Sequence, residues 1–211
     1  MKLKTLFAAC GLVASLAACA SAPSIPERTS PPVADTGLSF QQDGLSAPAP
    51  VQAVMPSSFN VAQINVTVPE TLSVSEANGY YPRGDIVWRG DVIGDRRAQV
   101  KAIFEEAFAR GTDGFQGETP VIVDVRVKRF HSISERTRAS IGGVHNMEFY
   151  LTVFDAATGA VVMPTREVSA NLPAYGGADA IAAERQGQTQ KVRVTTYLAL
   201  TIKDELRKRP I

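Results

Sequence analysis

Cysteine is nearly absent from this chain: there are two, Cys10 and Cys19, both within the first twenty residues. Everything downstream therefore lacks a thiol for a disulfide, a nucleophile or a metal, and must be held by packing. Histidine is equally scarce, with only His131 and His145. Neither stands at a metal-ligand spacing, so the sequence assigns no metal and no cofactor. An excess of one charge is missing too, since 22 Lys+Arg face 21 Asp+Glu. Loss of residues 1–18 would remove Lys2 and Lys4 and leave 20 against 21. A near-neutral chain offers no electrostatic basis for nucleic acid or for acidic substrates. A membrane-spanning apolar run is also wanting: Leu6 to Ala18 would rise about 20 Å as a helix, against about 30 Å of hydrocarbon, and no stop-transfer pattern follows.

What the N-terminus has instead is signal-peptide grammar: Met1-Lys2-Leu3-Lys4, then the apolar run, then small residues. Its ending, Leu16-Ala17-Ala18-Cys19, resembles the bacterial lipobox. The resemblance implies cleavage before Cys19 and acylation of its sulfur. Two or three acyl chains anchor stably where one does not. Ala20 stands where an Asp would signal inner-membrane retention in enteric bacteria, so the resemblance implies the outer membrane, with the domain facing the periplasm. Cleavage within Ala18-Cys19-Ala20 by ordinary signal peptidase is the alternative, and would release the protein. The stretch to residue 58 is rich in Ala, Ser and Pro and reads as a tether, with Leu38, Phe40 and Leu45 as isolated apolar residues. The expected organisation is thus 1–18 signal peptide, 19–58 lipidated cysteine and tether, and 59–211 globular domain.

Within the last segment, Asn60 to Val68 spaces apolar residues mostly by two and predicts a strand, and a short strand is readable at Ile86 to Trp88. From about Asp95 to Arg110, Val100, Ile103, Phe104, Ala107 and Phe108 share one helical face, with Gly111 as the C-cap. Val121, Val123, Val125 and Val127 alternate with polar or exposed positions; Met147, Phe149, Leu151 and Val153 do the same. A hairpin through Asp155 to Gly159 leads to a third strand around Ala160 to Ala170, and Leu172-Pro173-Ala174 breaks the chain. A short helix near Asp179, interrupted by Gly187, precedes a longer one from Gln188 to Arg207, with Val194, Tyr197, Leu198, Thr201 and Leu206 inward. The order β-α-β-β-β-α predicts an α+β fold: a small antiparallel or mixed sheet with two helices on one face and the other face wet.

No catalytic signature accompanies these elements. His131 and His145 end and begin adjacent strands and could meet across a hairpin, but no nucleophile elbow positions a serine beside them. Gly111 to Gly117 follows a helix rather than preceding one, so it faces the wrong end of the dipole for phosphate. Two Arg-Gly-Asp triplets, at 83–85 and 89–91, read as turn geometry. Two features suit binding surfaces. One is the loop with Tyr80, Tyr81 and Trp88 beside Arg83 and Arg89, a combination enriched at interface hot spots, with Trp88 alternatively plugging the core. The other is the wet sheet face bearing Arg126, Lys128, Glu148 and Tyr150, which cross-strand pairs could also satisfy.

The string Gly84-Asp85-Ile86-Val87-Trp88-Arg89-Gly90-Asp91, followed by Gly94-Asp95-Arg96 and Gln99-Val100, resembles an uncharacterised family of alphaproteobacterial lipoproteins. Ile141 to His145 and Thr189 to Val194 are similar to it as well. The element order more distantly resembles auxiliary lipoproteins of envelope lipid transport, in architecture only. These observations lead to a non-catalytic envelope lipoprotein with an envelope protein as partner. A lipid- or glycan-binding module is the first alternative, and a hydrolase using His131 or His145 the second. Labelled palmitate should enter the wild-type protein and not a Cys19→Ser variant; wild-type protein that stays unlabelled and aqueous in detergent partitioning would defeat the anchor.

Overall fold

The structure, a computed structural model, describes residues 58–208; the expected signal peptide, the expected lipidation at Cys19 and the expected tether through residue 57 lie outside the described residues. The chain runs β1 (Phe59–Thr67), β2 (Ile86–Val87), α1 (Arg96–Thr112), β3 (Thr119–His131), α2 (Glu135–Arg138), β4 (Gly143–Asp155), β5 (Val161–Ala174), α3 (Gly177–Arg185) and α4 (Gln190–Arg207). The five strands make one mixed sheet in the order β1-β3-β4-β5, with β2 also beside β3. β1 pairs with the first part of β3 and β2 with its last residues, both parallel to it. Such parallel pairing requires a crossover, which α1 supplies. β4 and β5 follow as antiparallel neighbours. No helix among the described residues is long and apolar enough to cross a membrane.

The sheet has a dry face and an open one. Val121, Val123, Val125 and Val127 of β3 and Met147, Phe149, Leu151 and Val153 of β4 are buried, as their alternation predicts. Helices α1 and α4 cover them. Phe104 and Phe108 of α1 meet the Phe149 ring edge-on, with centroids 5.4 and 5.6 Å away, and Leu198 and Ile202 of α4 join the same cluster. Caps fix both helix starts: Asp95 accepts from the Ala98 amide at 3.0 Å, and Thr189 from Val192 at 3.2 Å.

Three readings of the sequence need correction. Gly111 lies inside α1, which continues to Thr112. A Cβ there would collide with the Ala199 carbonyl and Ile202 of α4, so this glycine permits close helix contact instead of ending the helix. Leu172-Pro173-Ala174 belongs to β5, where Pro173 faces Val144 on an edge strand that can spare one donor. α4 begins at Gln190, and Ile202, Thr195 and Ala199 are buried on its inward side while Tyr197 and Thr201 are only half-buried. Gly159 takes φ +71° in the β4–β5 turn, as the hairpin requires. The single-turn α2 was not legible in advance.

Gly111→Ala should lower stability by up to about 2 kcal/mol in urea unfolding. Overpacking of about 1–3 kcal/mol exceeds the gain of about 1 kcal/mol in helix propensity. Gly114→Ala, with nothing within 4 Å of the added carbon, should stay within about 0.5 kcal/mol of wild type.

Candidate binding cleft

The alternation along β3 breaks once. Val127 faces Phe149 and Arg129 faces Glu148, so Lys128 is the extra residue of a β-bulge. The bulge returns Phe130 to the core and turns both Lys128 and Arg129 away from it. Arg129 and His131 thereby reach the open side at the far end of β3 from Phe59, about 40 Å along a strand of 13 residues. There they help form a cleft of about 630 Å³. Its walls are the loop Tyr80 to Asp85 on one side and the β3–β4 connection, Ile133 to Val144, on the other.

Hydrogen bonds fasten these walls. Asp85 accepts from the Ser73 amide at 2.8 Å and the Ser73 hydroxyl at 2.7 Å. Those bonds, the serine hydroxyl first, hold its carboxyl below the usual range, with Arg129 and His131 adding to the effect. Ser134 caps α2 by accepting from the Thr137 amide at 3.1 Å and donates to the Gly79 carbonyl at 2.6 Å. The Thr137 hydroxyl donates to the Tyr80 carbonyl at 3.2 Å. Gly142, at φ +70°, lies against the end of β5, where a Cβ would strike the Ala174 carbonyl. His131 Nε2 is 2.9 Å from the Pro82 carbonyl, which can only accept, so that nitrogen carries the proton.

The lining joins cations to apolar groups. Arg83 and Arg129 have no hydrogen bond or ion pair among the described residues, whereas Tyr81, Ile141 and Val144 expose their side chains at the rim. Tyr80 sits under the Arg136 guanidinium, 4.8 Å from its ring centroid. Its hydroxyl is shifted down from the ordinary tyrosine value by Ser140 and by Arg136.

The sequence-derived candidates divide accordingly. Tyr80 and Tyr81 line the cleft. Arg126, Lys128, Glu148 and Tyr150 lie on the open face of β3 and β4, where Lys128 reaches Glu148 at 3.3 Å and Glu167 at 2.7 Å, and Arg126 faces Tyr150 across the strands. Trp88 must be withdrawn from the surface. It is 0% exposed, stacks edge-on with Phe130 at 5.4 Å, and donates its indole N–H to Asp91 at 2.7 Å. Gly90 follows because any Cβ would run into the Trp88 ring, which accounts for the second Arg-Gly-Asp triplet as packing. Arg83, named with the aromatic loop, also lines the cleft, whereas Arg129, Ile141 and Val144 were missed as a site. Two successive charged residues, Lys128-Arg129, between Val127 and Phe130 are the sequence mark of the bulge that places Arg129.

The two histidines do not meet. His131 faces Asn146, and His145, one residue off, points to the opposite face. His145 Nδ1 is 2.7 Å from the Ser132 hydroxyl, a pairing that superficially suits a nucleophile and base. Both residues are sealed from solvent at 1% and 2% exposure, and His145 Nε2 has no partner where a triad would place a carboxylate. Among the described residues, no three His, Cys, Asp or Glu side chains gather as metal ligands would.

With this geometry in view, comparison with known proteins places the sequence. The chain belongs to DUF6778, a family of unknown function whose model matches residues 59–211. No curated protein matches it. Among solved structures it is similar to a candidate lipoprotein of Caulobacter crescentus, at 18% identity over 72% of this chain and 89% of that one, with a TM-score of 0.35. A Xanthomonas campestris protein of family DUF330 gives 15% identity, 75% and 91% coverage and 0.40. A dodecameric PelC variant from Paraburkholderia phytofirmans gives 10%, 72% and 89%, and 0.34. Likeness at these scores carries no conclusion about function.

Burial, followed by the nearby charge of Arg193, holds the His145 pKa down at about 4. The unfolded chain therefore binds this proton more readily. Its contribution to stability is complete above about pH 6.5 and is lost as pH falls toward 4, amounting to about 3 kcal/mol. Urea unfolding across that window should show the loss in wild type, and His145→Gln should lack this component; parallel profiles would contradict it.

Proposed function

We propose that this protein is a non-catalytic, lipid-anchored component of the bacterial envelope, held by acylated Cys19 at the outer membrane, whose domain binds an envelope protein through the cleft. The observation that carries the reading is the association of two guanidinium groups, Arg83 and Arg129, that make no hydrogen bond or ion pair among the described residues, with exposed Tyr81, Ile141 and Val144 around one fastened depression. Arginine and tyrosine are over-represented where binding energy concentrates. The cleft's position supports the same view. Phe59 pairs with Thr119 at one end of β3, and the cleft opens past His131 at the other. The open face with Arg126, Lys128, Glu148 and Tyr150 leads toward it and would extend the contact. Ser132 borders the cleft, but it is only 2% exposed and its hydroxyl is engaged by His145, whose Nε2 has no carboxylate partner, which favours a binding role over hydrolysis.

A volume of about 630 Å³ is also of small-ligand size, which supports a second reading as a lipid- or glycan-binding module. Native mass spectrometry of protein purified from its own cells distinguishes the two, since a co-purified small molecule favours the second. For the first, a photo-crosslinking amino acid at Tyr81 or Ile141 in living cells should yield one discrete protein adduct. Arg129→Glu should abolish that adduct, and the same probe at exposed Val161, at the other end of the sheet, should not form it. Equal capture from Val161 and Tyr81 would overturn the assignment.

A further inference from the structure

Beyond Trp88 the chain turns outward, and Val92 and Ile93 leave their side chains 86% and 89% exposed. The loop beneath them is tightly held. Arg96, itself buried, donates to the Asp91 carbonyl at 3.2 Å, the Val92 carbonyl at 3.0 Å and Gln99 Oε1 at 2.7 Å. Gln99 returns a second bond to the Val92 carbonyl at 2.9 Å. Asp91 takes the Trp88 indole at 2.7 Å and Lys191 at 2.8 Å. Two branched aliphatic side chains are therefore presented to water on a hydrogen-bonded support.

We infer that the Val92–Ile93 tip inserts into the acyl region of a lipid surface. The inference rests on the anchored-lipoprotein reading and adds to it a second point of contact. Four observations favour lipid over a protein socket. Valine is under-represented among protein hot spots, and this tip carries no aromatic, amide or guanidinium to orient a partner; hydrocarbon requires none. The Val92 carbonyl, one of the backbone acceptors at the tip, already takes two protein bonds, which lessens the penalty of leaving water. The charges at the base balance: Glu76 pairs with Arg89 and Arg96 and Asp91 with Lys191, and the exposed Asp95, which accepts the Ala98 amide, makes three carboxylates against three cations, so an anionic headgroup layer meets no net negative charge from these groups. Finally, the chain upstream is long enough. The tip follows β2, at the end of the sheet away from residue 58, but residues 20–57 extend up to about 125 Å against about 43 Å for β3. An anchored domain can turn this end to the bilayer, where attachment raises the local lipid concentration enough for a two-residue contact to matter.

The mature lipoprotein offers the means of testing this, because acylated Cys19 leaves it without a free thiol. Full-length Ile93→Cys protein, labelled with an environment-sensitive nitrobenzoxadiazole group, is added to vesicles of phosphatidylethanolamine and phosphatidylglycerol and recovered by flotation. The expected result is a blue-shifted emission and severalfold quenching by nitroxide-labelled acyl chains, neither seen with the label at Val161→Cys. Adding Val92→Asn should diminish both signals, with an unchanged circular dichroism spectrum showing that the exposed loop alone was altered. Protein that floats while the Ile93 label behaves like the Val161 label overturns the insertion and leaves the anchor intact. Label that is shielded but unquenched by nitroxide marks a protein contact and also overturns it. Protein that stays in the aqueous layer overturns both readings, and a second label on Cys19 would then show the missing acylation.

Discussion

Strand β3 is the constraint on which the rest of this structure depends. It is paired along both sides, to β1 and β2 on one and to β4 on the other, so its side-chain alternation decides which face of the whole sheet is dry. Its four buried valines commit that face to α1 and α4, and a strand of period two must then turn Asp124, Arg126 and their neighbours the other way. One extra residue at Lys128 changes the outcome locally. Without it Arg129 would point into the phenylalanine cluster and Phe130 into water, an arrangement that would bury a guanidinium with no carboxylate beside it. The bulge keeps the ring of Phe130 under Trp88 and gives Arg129 to the cleft. Core and candidate site are thus consequences of the same backbone irregularity.

The second organising element is the network around Trp88. The indole is placed by stacking on Phe130, but its N–H needs a partner once buried, and Asp91 supplies it. Burial alone would raise the Asp91 carboxyl pKa, yet Lys191 and Trp88, with Arg96 nearby, carry it below the ordinary value. Lys191 belongs to the first turn of α4, so the same carboxylate ties the β2–α1 loop to the last helix. Arg96 then holds the loop's carbonyls and the Glu76 carboxylate at once. A mobile loop could hide Val92 and Ile93, whereas this one is held by Arg96 and Gln99 at its carbonyls and by Trp88 and Lys191 at the Asp91 carboxylate.

This division explains what could be read from the sequence. Strong alternation in β3 and β4 and the apolar stripe of α1 gave their faces correctly, because each is decided by solvent contact along one segment. Signals that depend on a second segment misled. Gly111 carries the pattern of a helix end until Ala199 and Ile202 are known to lie against it. Pro173 reads as a breaker until the edge position of β5 is known, and Trp88 stays open between loop surface and core plug until Phe130 and Asp91 close around it. The cleft was half legible: Tyr80 and Tyr81 stood out by type, while Arg129, Ile141 and Val144 come together only through a bulge and a glycine turn. Nothing local distinguishes such residues from ordinary surface ones.

His145 shows why residue type is a poor guide to chemistry in this domain. A histidine and a serine hydroxyl 2.7 Å apart would draw attention in any cleft, and the alternation of β4 alone puts this one beneath α4. There the low dielectric favours the uncharged ring, and nearby Arg193 disfavours a second positive charge. A base that stays neutral needs a carboxylate on its far nitrogen to stabilise the imidazolium formed during proton transfer, and Nε2 has none. The pairing therefore satisfies two buried polar groups that the end of the sheet could not avoid enclosing. The guanidinium groups of Arg83 and Arg129, which make no hydrogen bond or ion pair among the described residues, line the cleft instead, and it is there that the fold has donors to offer.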